Sequence, residues 1–241
     1  MKVAVLSDIH GNLEAFERVL EDLRQTGADA VISLGDNVGY GPDPDSVIAL
    51  LCEMDIPSVM GNHELAIGTP AYLRWFNPVA RESLEKTLGM LSRSSLEFIS
   101  RLKYSRVDWN CRFVHGYPPR SAKTYLFQVS RDRLCRTFER MRERICFVGH
   151  THDLELIVYD GGEVTRQPLT KGFTRLNPDQ AYIINVGSVG QPRDGNNNAK
   201  YVIWDTAEHL LELKFIPYDI AAVAGKIIAA GLPRAHARRL G

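Results

Sequence analysis

Short apolar runs alternate with polar loops and helical patterns along the first quarter of the chain. Val3–Leu6 is a β-prone run, and the apolar residues between positions 13 and 23 then recur at helical spacing. The alternation continues with an apolar run at Ala30–Leu34, a helix face at Val47–Leu51 and the start of a third unit at Pro57–Met60. A repeated order of strand, loop and helix predicts an α/β fold with a parallel sheet covered by helices.

A helical pattern interrupts this rhythm at about residues 70–102. Its apolar positions indicate two helices separated near Ser92–Ser95. We therefore expect a helical insertion beside the sheet.

The pattern becomes β-rich in the second half of the chain. The predicted strands are Cys111–Val114, Ile145–Val148, Leu156–Tyr159, Glu163–Gln167, Ala181–Val186, Tyr201–Trp204 and Leu211–Ile216. Asp160-Gly161-Gly162 predicts a hairpin turn, and Ile220–Ala230 predicts a closing helix. Without an internal repeat or an obvious linker, the sequence predicts a single domain over residues 1–241.

Composition and charge exclude several classes of protein. The 241 residues include 29 basic and 29 acidic side chains, so the formal net charge is zero. This balance disfavours long nucleic acid or an anionic membrane surface as a partner, but it allows a small phosphorylated substrate. No segment approaches the roughly 20 apolar residues of a spanning helix, and the N-terminal run is too short for a signal peptide. We expect a cytoplasmic protein, and nothing in the sequence indicates an oligomeric state.

The positions of the histidines carry most of the chemical information. Five of the seven follow predicted strands in short polar loops, namely His10, His63, His115, His150 and His152. Loops at the carboxyl ends of parallel strands meet at one edge of a sheet, so these imidazoles should converge. His209 and His236 lack this context, and we expect them at the surface.

The same loops contain further metal-ligating side chains. The candidate ligands are Asp8, His10, Asp36, Asn62, His115, His150 and His152. Taken singly each has an ordinary explanation, since Asp8 could cap the following helix and Asp36 could be a turn residue. Taken together, loops at five strand ends favour a metal site.

This ligand set mixes nitrogen and oxygen and contains no sulfur. Such a set suits Mn, Fe, Zn, Ni or Co better than Ca or Mg. Seven side chains exceed what one ion normally takes from a protein, so the sequence predicts two divalent transition-metal ions. Two ions roughly 3.5–4 Å apart can bind phosphate oxygens and supply a hydroxide nucleophile that attacks phosphorus.

The ordered motifs resemble those of the calcineurin-like metallophosphoesterases. They are Asp8-x-His10, Gly35-Asp36, Gly61-Asn62-His63-Glu64, His115-Gly116 and Gly149-His150-Thr151-His152. The stretches 36–42 and 185–195 look like the compact prokaryotic branch labelled phosphodiesterase or diadenosine-tetraphosphatase-like. The resemblance spans residues 3 to about 205 and implies a four-layer α-β-β-α sandwich.

The resemblance also implies a role for each ligand. It assigns Asp8, His10 and His152 to the first metal, and Asn62, His115 and His150 to the second, with Asp36 as the bridge. His63 is then the catalytic residue, which donates a proton to the leaving oxygen or stabilises the transition state. The implied activity is phosphodiesterase or phosphatase hydrolysis of small phosphorylated substrates, with nucleotides as candidates.

Two further features have both a functional and a structural explanation. The glycine-rich loop 187–195 could form a pocket wall with Arg193 near a phosphate, or it could be a solvated surface turn. Tyr72, Trp75 and Phe76 in the insertion, and Tyr125 after the fourth loop, could stack on a substrate, although plain packing of aromatic residues is more common.

Two other functions compete with the hydrolase. A non-catalytic, metal-bound protein-interaction scaffold of the same fold would explain the ligands, but it would not need a titratable side chain at His63. A regulatory nucleotide-binding module is disfavoured because the chain lacks a glycine loop that cradles phosphates.

Overall fold

Two mixed β-sheets form the centre of the molecule in the computed structural model, which describes residues 1–241. The strands are β1 (Lys2–Leu6), β2 (Ala30–Ser33), β3 (Ser105–Asp108), β4 (Cys111–Val114), β5 (Ile145–Val148), β6 (Leu154–Tyr159), β7 (Val164–Pro168), β8 (Gly172–Arg175), β9 (Ala181–Val186), β10 (Ala199–Asp205) and β11 (Leu210–Ile216). The helices are α1 (Leu13–Thr26), α2 (Pro44–Glu53), α3 (Asn62–Gly68), α4 (Pro78–Met90), α5 (Arg93–Ser100), α6 (Arg131–Arg140), α7 (Ile220–Ala229) and α8 (Arg234–Leu240).

The first sheet has the strand order β2-β1-β10-β11-β8, and the second has the order β3-β4-β5-β9-β6-β7. Strands β1 and β2 are parallel, as are β4, β5 and β9, whereas the remaining pairs are antiparallel. The parallel strands carry the predicted ligand loops at their carboxyl ends. The sheet topology therefore brings distant parts of the chain to one edge.

Alternation along β1 shows how the layers are built. Val3 and Val5 belong to the core between the two sheets, whereas Ala4 and Leu6 belong to the core that contains α1. Successive side chains of a strand point to opposite faces, so one strand serves both cores. On the outer face of the second sheet, Leu134 of α6 belongs to a third core. The helix-sheet-sheet-helix order confirms the expected four-layer α-β-β-α sandwich.

Most predicted elements are present within a few residues of the expected bounds. The structure differs from the prediction at Pro57–Met60, at strands β3 and β8, and at helix α6. Pro57–Met60 forms only isolated bridges, from Ser58 to Ser33 and from Val59 to Lys103. Strands β3 and β8 were not predicted, because neither presents a continuous apolar run. Helix α6 was missed as well, since only Leu134 and Phe138 of its ten residues are buried.

The region from residue 70 to residue 102 is helical, as predicted. A 3-10 helix covers Pro70–Trp75, and α4 and α5 follow. The side chain of Asn77 caps α4, and that of Ser92 caps α5, which places the break between these helices at residues 91–92. The single-domain organisation stays a prediction. None of the helices is long and apolar enough to cross a membrane.

Candidate metal centre

The predicted ligand loops meet at one edge of the two sheets, and their backbone is unusual. Asp8, His10, Asp36, His150 and His152 all have positive φ values, between 51° and 70°. Residues other than glycine rarely adopt this conformation, and at a functional site it persists only where the surrounding structure enforces it. Five of the seven predicted ligands therefore have a strained backbone conformation of the kind that clusters at functional sites.

Asp8, His10 and His152 form the first group of converging donor atoms. Nε2 of His10 lies 3.0 Å from Nε2 of His152, and Nε2 of His152 lies 3.2 Å from Oδ1 of Asp8. The other ring nitrogens face backbone carbonyls, with Nδ1 of His10 3.2 Å from the oxygen of Val38 and Nδ1 of His152 beside that of Gln191. A carbonyl at Nδ1 fixes the tautomer whose Nε2 lone pair is free for a metal.

His115, His150 and Asn62 form the second group. Nε2 of His115 lies 3.1 Å from Oδ1 of Asn62 and 3.2 Å from Nδ1 of His150. The outward nitrogens again face carbonyl oxygens, since Nδ1 of His115 is 2.9 Å from that of Leu34 and Nε2 of His150 is 3.2 Å from that of Lys123. The backbone thus orients these two imidazoles toward each other.

Asp36 lies between the two groups. Its Oδ2 is 3.2 Å from Nε2 of His115 on one side and 3.9 Å from Nε2 of His10 on the other. Its Oδ1 accepts a hydrogen bond of 2.9 Å from the backbone N–H of His63, which fixes the carboxylate plane. One oxygen of Asp36 is therefore accessible to donors of both groups.

Burial and mutual charge set the protonation of the site. Burial opposes ionisation of Asp8 and Asp36, but the facing imidazoles outweigh it and hold the pKa of each carboxyl well below its usual range. Burial lowers the pKa of His150 to about 3. Burial also opposes charging of His115, yet the Asp36 carboxylate raises the pKa of that imidazole to about 9. These shifts favour the anionic carboxylates of Asp8 and Asp36 and the neutral imidazole of His150, which are the forms that bind metal ions, whereas His115 would release its proton when a metal binds.

The donor set fits divalent transition-metal ions. Three compact groups have all their ligand atoms within 4.8 Å of one another, namely Asp8-His10-His152, His10-Asp36-His63 and Asp36-His115-His150. Oδ1 of Asp8 is buried without a hydrogen-bond donor, although three imidazole nitrogens lie within 4.0 Å of it. Free lone pairs and carboxylate oxygens at such close range repel one another unless a cation lies between them.

Two buried residues hold the loops together behind the donor atoms. The Glu64 carboxylate accepts hydrogen bonds from the backbone N–H groups of Asp36, Asn37, Val38 and Gly61. Burial, together with the Asp36 charge, raises the pKa of Glu64 to about 7. Gly149 packs so closely on Ser7 that a Cβ atom would overlap the serine hydroxyl.

His63 lies in the cluster, in the first turn of α3 and not in the short polar loop that the sequence predicted. Its Nε2 is 3.8 Å from Oδ2 of Asp36, and its buried Nδ1 has no hydrogen-bond partner. The ring meets those of His10 and Phe76 edge-on, at centroid distances of 4.7 and 5.2 Å. Burial lowers its pKa to about 4, below the ordinary 6.5. Burial thus disfavours the charged form of His63, and one of its ring nitrogens has no hydrogen-bond partner.

Arg193 is exposed, and its guanidinium donates a long hydrogen bond of 3.4 Å to Oε1 of Gln191. Burial raises the pKa of Tyr40 to about 12, and the charge of Arg193 opposes that rise. The charge also opposes the rise that burial causes in the pKa of Tyr125. The side chain of Arg193 forms no hydrogen bond to a predicted ligand, and its contact with substrate stays a prediction.

The expectation that His236 is a surface residue was wrong. Its side chain is buried, and its ring packs against that of Tyr40 in a tilted arrangement at a centroid distance of 4.5 Å. The Tyr40 ring also contacts that of His10 at a centroid distance of 4.4 Å and that of His63, edge-on, at 4.5 Å. His236 lies on the short helix α8 and does not follow a strand, so the rule that placed the other histidines at the site could not predict its position. Tyr40 was also missed, although its positive φ of 65° marks it as part of the same strained loops.

The fold, together with this donor set, defines a metal-dependent hydrolase of phosphoric esters. The chain belongs to the calcineurin-like phosphoesterase superfamily, because the model of that superfamily domain matches residues 1–209. An uncharacterized protein of Methanocaldococcus jannaschii is 33% identical over 244 residues, which cover 99% of this chain and 96% of the relative. The match confirms the resemblance that the motifs indicated.

A solved structure agrees with this assignment. A metallophosphoesterase from Sphaerobacter thermophilus has a TM-score of 0.84 and 33% identity to this chain, covering 100% of this chain and 98% of that one. A local match is also found with the Phosphodiesterase YfcE of Escherichia coli K12, which is 52% identical over 42 residues, or 17% of this chain and 23% of its own length.

Proposed function

We propose that this chain is a binuclear metal-dependent phosphoester hydrolase that acts on small phosphorylated substrates and prefers diesters to simple monoesters. The observation that carries the proposal is the position of Asp36, whose Oδ2 faces donor atoms of both ligand groups. The local match to the Phosphodiesterase YfcE of Escherichia coli supports the preference for diesters.

The first metal would be held by Asp8, His10 and His152, the second by Asn62, His115 and His150, with Asp36 shared between them. Two divalent ions would neutralise phosphate oxygens and acidify a water molecule. In each ligand imidazole, one ring nitrogen donates to a backbone carbonyl oxygen, which leaves the lone pair of the other ring nitrogen free for a metal. Mn, Fe, Zn, Ni and Co all suit this nitrogen-oxygen set.

His63 would donate a proton to the leaving oxygen. Its free ring nitrogen can take part because no protein group occupies it. Burial favours the neutral imidazole, while an adjacent phosphate charge would raise its pKa toward neutrality. Arg193 would supply a positive charge to a phosphate at the mouth of the site.

The test is hydrolysis by the full chain loaded with each of the five metals. The paired substrates are bis(p-nitrophenyl) phosphate and p-nitrophenyl phosphate, with Asp36→Asn as the inactive variant and Asp55→Asn as the control. We expect metal-dependent hydrolysis that is faster for the diester and is lost in Asp36→Asn. Turnover no faster than that of Asp36→Asn with every metal would favour the non-catalytic scaffold instead. Efficient cleavage of long RNA or DNA would contradict a small-substrate enzyme.

A further inference from the structure

His63 differs from the other imidazoles of the site in the way its ring is held. The four histidines predicted as ligands each have one ring nitrogen beside a backbone carbonyl oxygen. The ring of His63 has no such partner, since its buried Nδ1 makes no hydrogen bond and its Nε2 is 3.8 Å from Oδ2 of Asp36. The orientation of this ring therefore depends on the side chains that pack against it.

Three neighbours surround the His63 ring. Tyr40 meets it at a centroid distance of 4.5 Å and an interplanar angle of 79°, and Phe76 meets it at 5.2 Å and 86°. On a further side Gly39 lies so close that a Cβ atom there would overlap Nδ1 of His63. Tyr40 itself is only half-buried, so the protein does not enclose its ring on every side. A shift of the Tyr40 ring would leave room for His63 to turn.

His236 supports the Tyr40 ring. The two rings lie 4.5 Å apart at their centroids, with an interplanar angle of 32°. His236 is only 4% exposed, and its Nε2 is buried without a hydrogen-bond partner. No protein group depends on that nitrogen, so the contribution of His236 to Tyr40 is the contact between the rings.

The C-terminal helices hold His236 in this position. Five buried side chains form their core, which packs against Met90 of α4, namely Val223, Ile227, Leu232, Ala237 and Leu240. In addition, Nζ of Lys226 on α7 lies 2.8 Å from Oδ2 of Asp43, three residues after Tyr40. The superfamily match ends at residue 209, before both helices. His236 therefore reaches the site on an element that lies outside the matched domain but is attached to it at two points.

We propose that His236 is a positioning residue, which holds the Tyr40 ring against His63 and thereby keeps the His63 imidazole directed at the leaving oxygen. The inference rests on the proposed hydrolase function and adds the C-terminal helices to its active site. A misplacement of about 1 Å can cost about 100-fold in rate, because proton transfer requires close and aligned groups. Support for the Tyr40 ring is thus support for the proposed proton donor.

The test compares two diesters that differ in their need for a proton. Bis(p-nitrophenyl) phosphate releases nitrophenolate, which leaves without a proton, whereas diphenyl phosphate releases the more basic phenolate, whose departure a general acid assists. In the Mn-loaded full chain, His236→Ala should lower kcat for diphenyl phosphate by about 10- to 100-fold and for bis(p-nitrophenyl) phosphate much less. KM and Mn content should change little, because no ligand is removed.

Three further variants separate positioning from a general loss of structure. His236→Phe keeps a ring against Tyr40 and should retain most of the activity, since Nε2 has no partner to lose. Arg238→Ala changes an exposed residue of the same helix and should match the unmodified chain. In a His63→Ala background, His236→Ala should cause no further loss, because the group that it positions is absent.

Nuclear Overhauser effects test the ring contacts in the unmodified chain, even if His236→Ala does not fold. They should connect the ring protons of Tyr40 with those of His63 and with those of His236. This measurement requires neither turnover nor a substitution. Absence of either connection would overturn the proposal.

Equal losses for the two diesters in His236→Ala would overturn the positioning role, as would losses that add in the double variant or a His236→Phe variant as impaired as His236→Ala. Each of these results would leave the hydrolase proposal intact, since that proposal is judged by the unmodified chain acting on the nitrophenyl esters. Hydrolysis of neither diester by the unmodified chain would instead contradict the proposed function itself.

Discussion

Nε2 of His10 lies 3.0 Å from Nε2 of His152, and the Nδ1 of each ring faces a backbone carbonyl oxygen. When each Nδ1–H donates to its carbonyl, two Nε2 lone pairs face each other in a buried site. Such an arrangement is unfavourable in a poorly solvating interior unless a cation lies between the two nitrogens. The folded state of this chain should therefore bind metal ions far better than the unfolded chain does.

Metal addition should stabilise the fold measurably. An ion present at 100 times its Kd adds about 2.7 kcal/mol per site to the free energy of unfolding. For a chain of this length that corresponds to a rise in Tm of about 5–10 °C per site. Thermal scans of chelator-treated protein with and without Mn measure the shift, and His152→Ala should reduce it. An unchanged Tm in the unmodified chain would contradict a preformed metal site.

The second prediction concerns the number of ions. After reconstitution with excess Mn and removal of loosely bound metal, elemental analysis should approach two equivalents per chain. Asp36→Asn should lower occupancy of both sites, because a neutral amide bridges two cations poorly. Asp55→Asn, a change in an exposed carboxylate, should retain both ions. A stoichiometry that never exceeds one would rule out the binuclear centre.

The ligand loops were predictable because their geometry follows from simple rules. A polar residue directly after a buried strand must lie at the sheet edge, and parallel strands share that edge. The eight residues predicted as ligands or as the catalytic group do come together there, although their individual roles stay predictions. The sequence could not show that His63 lies in the first turn of a helix, since neither its loop nor Pro57–Met60 has a strong periodicity.

Residues that reach the site by tertiary packing alone were not predictable. His236 lies on a seven-residue helix at the end of the chain, where no pattern points toward the sheet edge. Its contact with Tyr40 depends on how α7 and α8 pack, which is a long-range property of the fold. Trp75 was noticed in the sequence, but its surroundings there do not distinguish a side chain that stacks on substrate from one that packs in the core. The structure shows that it is exposed.

Replacing His63 should separate metal binding from catalysis. General acid catalysis typically contributes about 10²–10⁴-fold, so His63→Ala should lower kcat by roughly that factor while metal content stays unchanged. The loss should be smaller for nitrophenyl esters, whose leaving group needs no proton. His209→Ala, a histidine outside the cluster, is the control. Loss of a metal in His63→Ala would instead identify His63 as a ligand, and an unchanged rate and metal content would remove its catalytic role.

Glu64 should be important for stability, because its carboxylate accepts four backbone hydrogen bonds inside the site. An unsatisfied buried N–H costs about 1–3 kcal/mol, so Glu64→Ala should lower the free energy of unfolding by about 3 kcal/mol or more. Glu64→Gln should cost less, since its amide oxygen still accepts. Denaturant titration of metal-free protein measures both, and exposed Glu85→Ala should stay within about 0.5 kcal/mol of the unmodified chain. A Glu64→Ala variant as stable as Glu85→Ala would refute this role.

Asp45 should give the stability of the fold a local pH dependence. Its Oδ1 accepts hydrogen bonds from the Ser95 hydroxyl at 2.6 Å and the Ser92 N–H at 2.7 Å, which tie the start of α2 to the start of α5. Burial acts to raise the pKa of Asp45, but these hydrogen bonds outweigh it and lower the pKa below the ordinary 3.8. A carboxyl whose pKa is depressed by folding contributes stability that is complete above 3.8 and is lost as pH falls through the lower folded value.

The stability difference between the unmodified chain and Asp45→Asn, measured by denaturant titration with chelator present, should be constant above about pH 5 and shrink below 3.8. Glu53→Gln, an exposed carboxylate at the end of α2, should show no such trend. If the Asp45→Asn difference instead grows as the pH falls, the two serine donors do not hold the carboxylate.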